Sequence, residues 1–129
     1  VKAGGHDYAN PDITDANYPN DREGDDEFDT HLVHFGEREM ESDDAERILR
    51  ADGYEVIMMA DLLTFGAKFP DVQREFPVIA LGQSWLDPDG DVLVGVLDGR
   101  FDVPGDRNAS LNDRRSRWSH HCRVAVRRK

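Results

Sequence analysis

Residues 77–97 read PVIALGQSWLDPDGDVLVGVL, and this run decides the fold. Val78 to Trp85 has the composition of a buried strand and Asp91 to Leu97 that of a second. Between them, Asp87-Pro88-Asp89-Gly90 places Pro and Gly where a tight turn uses them, so the run predicts an antiparallel hairpin. Upstream the period is helical. Ser42 reads as an N-cap, with Asp43 and Asp44 in the first turn, where carboxylates favour the positive helix end. Ala45, Ile48, Leu49 and Ala51 share one face, and Gly53 falls where a left-handed C-cap is expected. Asp61 to Lys68 predicts a second helix with Leu62, Leu63 and Phe65 turned inward, and Pro70 to Phe76 a further helical turn that ends before Pro77. Thr30 to Gly36 predicts the first strand, Tyr54 to Met58 a short extended passage, and Cys122 to Arg127 a closing strand. Phe101 to Ser110, holding Pro104, Gly105 and Asn108, reads as loop. The order predicts an α+β domain, two helices packed on an antiparallel sheet from residues near 30–36, 78–85, 91–97 and 122–128.

Composition sets limits on what such a domain does. A chain of 129 residues supports one core, and 33% charged residues against 38% hydrophobic leaves few apolar side chains to build it. Acidic residues crowd the start (Asp7, Asp12, Asp15, Asp21, Glu23, Asp25, Asp26, Glu27, Asp29), so residues 1–29 read as an acidic arm, extended along the core or disordered. Residues 30–129 read as the single domain. A net charge of −11 repels phosphates, which argues against nucleic acid and anionic membranes as partners. No apolar run approaches the roughly 20 residues that span a bilayer. No basic segment followed by an apolar one opens the sequence, so no secretory signal is read there and the default location is cytoplasmic. The lone Cys122 excludes an internal disulfide framework and any cysteine-rich zinc site.

The last thirty residues differ from those before them. Residues 1–99 carry 7 Lys/Arg against 24 Asp/Glu, a balance of −17, whereas residues 100–129 carry 9 against 3, a balance of +6. From Asp98 to Arg123 there is no Lys, Glu, Gln or Met, and the single Trp is Trp118; residues 1–97 use those five types 16 times. The depleted types are those a codon cannot reach when its third base stays a pyrimidine while the first two are randomised. Such a vocabulary points to a surface selected for diversity, which is a binding face with no fixed chemistry.

Motifs that would carry chemistry are weak. His120-His121-Cys122 is the one cluster of metal-type ligands, but neighbours on a strand point to opposite faces and no partner pair exists elsewhere. The cluster reads as exposed loop histidines beside a half-buried cysteine. Asp87, Asp89, Asp91 and Asp98 match four positions of a calcium-loop template, but the glycine is misplaced and no Glu closes it, so a hairpin turn is the better reading. Ser116, Ser119, His120 and Asp113 supply the types of a nucleophile triad within one short loop, whereas triads draw on separated elements. Trp85 and Trp118 read as core aromatics. Arg123 alternates with apolar neighbours, so its head must reach solvent or a carboxylate.

One longer pattern carries more. Leu62-Leu63, Phe65-Gly66 and Phe69-Pro70-Asp71-Val72-Gln73-Arg74-Glu75-Phe76-Pro77 lead into Val78-Ile79-Ala80-Leu81-Gly82 and Trp85. Asp89-Gly90, a strand, an Arg/Asn/Asp-rich loop, Trp118 and a terminal Arg123-Val124-Ala125-Val126-Arg127-Arg128-Lys129 follow. Over roughly Thr30 to Lys129 the chain resembles the small variable proteins of diversity-generating retroelements, of the compact kind from uncultivated archaea and candidate-phylum bacteria. The resemblance implies a C-type lectin fold. It also implies a reverse transcriptase with adenine-specific errors that rewrites codons near the 3′ end of the gene. The chain departs from the family pattern at Arg115-Ser116, where relatives tend to show Trp-Phe, at Asp113, where they carry an apolar residue, and at Gly95, where a Pro is expected.

The expectation is therefore a non-enzymatic binding protein without cofactor or metal, with a variable region at about 94–123 and an unknown protein or other macromolecule as ligand. The expected contacts are Asn108, Ser110, Asn112, Arg114, Arg115, Ser116, Ser119, His120 and His121, with Trp118 as the anchor beneath them. All nine contacts are polar and lie between the last two predicted strands, where connections run over the surface. Without a large aromatic besides Trp118, this set fits a weak binder or an acidic target. The alternative, from charge alone, is an acidic inhibitor that mimics nucleic acid through residues 7–44.

Overall fold

The computed structural model describes residues 8–19, 29–35, 39–99, 107–119 and 121–128. Within them the elements are β1 (Tyr8–Ala9), β2 (His31–Val33), β3 (Met40–Glu41), α1 (Ser42–Ala51), β4 (Tyr54–Val56), α2 (Met59–Lys68), α3 (Val72–Glu75), β5 (Val78–Leu86), β6 (Val92–Asp98), β7 (Asn108–Asp113), β8 (Arg117–Trp118) and β9 (Arg123–Arg128). The architecture is α+β, a large, mostly antiparallel sheet with helices on both faces. Two pairings are parallel, β1 with β7 and β5 with β9. The third, four-residue helix falls within Pro70 to Phe76, where a further helical turn was expected.

The sheet runs β1-β7-β6-β5-β9-β2. Val126 pairs with both His31 and Val56, and Val124 with both Val33 and Ile79. A strand has only two edges, so β2 occupies one edge of β9 while β5 and β4 share the other. That sharing explains an irregularity in the hairpin. Ala80 pairs with Gly95 but Trp85 with Leu93, because β5 leaves β6 between them. There it approaches β4, and the Gly82 N–H donates to the Ile57 carbonyl at 2.8 Å.

Alternation along the strands sorts apolar residues into two clusters. On one face, Val78, Ala80, Leu97, Ala109 and Ala125 pack under α2 residues Met59, Leu62, Leu63 and Phe65. Ile13 and Tyr18 join this cluster, so residues 8–19, part of the acidic arm, are pinned to the core by these two side chains. The Tyr18 hydroxyl donates to the Leu93 carbonyl at 2.9 Å. Burial, with Asp12 and Asp87 adding to it, raises the phenol pKa and keeps Tyr18 a neutral donor. On the other face, Ile79, Leu81, Val94, Val96, Val124 and Val126 pack with Ala45 and Leu49 of α1, Met40 and Trp118.

Local chemistry accounts for the helix ends. Gly53 has φ +89°, the left-handed geometry expected after α1. Helix α2 starts two residues before the expected Asp61, because the Met58 N–H donates to the Asp61 carboxylate and the Met59 N–H to the Gln83 side chain. Ser42 is not the N-cap. Glu41 holds that position, and Ser42, the first helical residue, is 2% exposed with its hydroxyl turned to Trp118. Gly95, where the family pattern has Pro, lies under Met59, and an added Cβ would meet that side chain at 2.6 Å.

A Cβ at Gly82 would stand 2.5 Å from the Ile57 carbonyl oxygen, which is backbone and cannot swing aside. Gly82→Ala is therefore expected to cost about 2 kcal/mol of stability through forced separation of β5 from β4. Urea denaturation measures this; an unchanged midpoint would show that the two strands do not pack this closely.

Candidate functional site

Residues 108–113, expected as part of a surface loop, form β7, because each polar residue there has a strand partner in β6. Asn112 pairs with Val94, Ser110 with Val96 and Asn108 with Asp98. Cross-strand partners share a face, so these three polar side chains lie on the α1 side beside the second apolar cluster, while Ala109 and Leu111 turn toward α2. Composition pointed to a loop because a strand at the margin of a sheet needs few apolar residues. The start of β7 is held from inside. The buried Arg107 guanidinium donates to the Gly66 and Pro70 carbonyls and to the Gln73 side chain. Gln73 in turn donates to the Asp98 and Asn108 carbonyls.

After β7 a turn over 114–116 leads into β8, which pairs with β3. Trp118 is 5% exposed, and its indole N–H donates to the Ser42 hydroxyl at 2.7 Å. The anchor thus sits in the second core with its polar handle satisfied. Of the nine expected contacts, His120 lies outside the described residues. Asn112, Arg115, Ser119 and His121 are exposed, and Asn108, Ser110, Arg114 and Ser116 are partly buried. None of these eight is in the core.

The eight are not equivalent. Arg114 crosses to α1: its guanidinium donates to the Leu81 carbonyl at 3.0 Å, to Asp43 at 3.2 Å and to Glu46 at 2.5 Å. Burial acts to raise the Glu46 pKa, but hydrogen bonds from Arg50 and Arg114 outweigh it and hold the carboxyl below its ordinary value. Arg114 is thus a strut between β7 and α1. Arg115 folds back on Asp113 at 2.7 Å and reaches Asp91 at 3.3 Å. Arg117 lies 3.9 Å from Glu39 and 3.5 Å from Glu41. Several carboxylates of the acidic-mimic segment are therefore engaged internally.

Several of the described residues of the candidate triad, calcium-loop and His-His-Cys motifs have partners within the fold. The Ser116 hydroxyl meets the Asn112 side chain, and that of Ser119 lies 3.7 Å from the Cys122 sulfur. Asp113 is bound by Arg115. The Asp87 carboxylate accepts the Asp89 and Asp91 N–H groups, as a hairpin turn requires. Among the described residues no group of three or more His, Cys, Asp or Glu is placed to hold a metal ion, and no helix is long and apolar enough to cross a membrane. Arg123 is partly exposed; its guanidinium stacks 4.3 Å over the Phe76 ring and donates to the His121 carbonyl.

Sequence reading missed one feature. Leu86, at the end of β5, is 65% exposed on the same face as Asn112. An apolar residue beside the DPDG turn was its only signal. Comparison with protein-family models, curated proteins and solved structures gives no match.

Arg114→Ala is expected to lower stability by about 2 kcal/mol, because it leaves part of the half-buried Glu46 pairing unmade. Ser116→Ala and His121→Ala should stay within about 0.5 kcal/mol of the parent. Equal losses in all three, measured by urea denaturation, would remove the distinction between the Arg114 strut and the other surface positions.

The same measurement against pH tests the Asp113 pair. Side-chain and backbone hydrogen bonds from Arg115 hold Asp113 at about 2, below its ordinary 3.8. A depressed acid stabilises the fold above the unfolded value and loses that contribution as pH falls through the folded one. Stability should therefore decline between pH 3.8 and about 2, and less steeply in Arg115→Ala. Identical slopes would mean that the pair does not form.

Proposed function

We propose that the chain is a ligand-binding variable protein of a diversity-generating retroelement, built on a compact C-type lectin-type fold. The observation that carries this reading is the division of labour in the last thirty residues. The described polar positions expected as contacts stand outside the core, while Arg107, Ala109, Trp118, Val124, Ala125 and Val126 in the same stretch are buried and hold the scaffold. A surface that changes between gene copies needs this separation, because exposed substitutions cost little stability and core substitutions cost much.

The topology supports the fold assignment. An early strand, β2, lies antiparallel against the terminal β9, both longer helices fall between them in the chain, and an antiparallel β5–β6–β7 unit follows. An ordered strand and turn, rather than a floppy loop, would also limit the ordering entropy lost on binding.

The gene's neighbourhood tests the reading most cheaply. A reverse-transcriptase gene should lie close by, with a near-copy of the DNA for the final thirty or so residues that differs mainly at adenines. Should both be missing, the assignment fails. Gene copies that vary should spare Trp118.

A further inference from the structure

We infer that the ligand of this face is a protein surface of low charge that presents an apolar side chain to Leu86, and that it is not the acidic target suggested by the arginines in the sequence. The inference rests on the binding role proposed above and names the partner chemistry of that site.

Leu86 pairs with Val92 across the hairpin, and the Arg114 N–H donates to the Val92 carbonyl at 2.7 Å. Leu86, Val92 and Arg114 therefore form a row across β5, β6 and the start of the turn after β7. The next row is Val94 and Asn112. Trp85 packs toward α2, so its neighbour Leu86 points to the α1 side, the side that carries Asn112. Leu86 is 65% exposed, more than any other large apolar residue described, and among the described residues it belongs to neither apolar cluster. Asn112 is exposed at its rim, with its amide oxygen taken by the Asp113 N–H.

Charge decides the class of partner. Each described arginine of the face has countercharges: Arg114 holds Asp43 and Glu46, Arg115 holds Asp113 and Asp91, and Arg117 lies beside Glu39 and Glu41. Asp89 stands exposed in the adjoining turn. An acidic partner would have to displace these pairs and meet a surplus of carboxylate, whereas a low-charge partner loses nothing. Leu86 offers an apolar contact beside arginines whose charges are already paired, with the uncharged Asn112 on the same side, and an interface centre is likewise apolar in the middle and polar around it. Leu86 also lies before the expected variable region, so it would serve every variant as a fixed contact while Asn112 and its neighbours discriminate.

A random peptide library displayed on phage, selected against the whole protein, supplies the probe. Selected peptides should be poor in Asp and Glu and should carry an apolar residue. Their affinity should fall at least about tenfold in Leu86→Ser, since a buried leucine side chain supplies that much. It should fall in Asn112→Ala, hold in Arg117→Ala, and change less than about threefold between about 0.05 and 0.5 M salt. Leu86→Ser stability, read by urea denaturation, should match the parent, which separates lost contact from lost fold. Acidic peptides with steep salt dependence, peptides indifferent to Leu86, or no selected peptide would each overturn the inference. Acidic peptides that still depend on Asn112 would overturn it while leaving the binding role in place, and the gene neighbourhood tests that role separately.

Discussion

The terminal strand β9 is the constraint on which the rest of the structure depends. One edge binds β2; the other binds β5 and then β4. Its side chains reach both apolar clusters, Ala125 on one face and Val124 and Val126 on the other. Segments distant in sequence thus close around one six-residue strand. Because β5 and β4 must share an edge, β5 bends away from β6 at Gly82, and the absence of a side chain there is what permits the approach. Closure of this kind rests on contacts that are long-range in sequence.

The second consequence concerns β7 and the turn that follows it. Residues 107–119 begin at a buried arginine and end at a buried tryptophan, each held by hydrogen bonds to separate elements. Between these fixings, β7 is supported by β6, and Arg114 braces it against α1. The exposed positions between therefore ride on a frame that does not include them. Local rigidity and freedom of side-chain choice coexist because backbone pairing, and not side-chain packing, fixes the path.

The helices and the central hairpin were legible in the sequence, because their signals are local. Apolar residues at helical spacing marked α1 and α2, Gly53 marked the end of α1, and Asp87-Pro88-Asp89-Gly90 marked the turn between β5 and β6. Trp118 was legible as a buried anchor from its size and its apolar surface. The absence of Lys, Glu, Gln and Met from residues 98–123 is read from the sequence alone, and no fold can add to or remove it.

What only the tertiary structure decided is how polar residues are used. Ser42 resembles a cap, but its hydroxyl is taken by Trp118, 76 residues away. Asn108 to Asp113 lacks strand composition, yet β6 supplies its hydrogen bonds. Arg114 and Arg115 are adjacent and chemically identical, but one is a strut and the other lies exposed. Leu86 becomes noticeable only when its face is known. In each case the partner is distant in the chain, and a hydrogen bond or ion pair leaves no periodic mark in sequence as a buried helical stripe does.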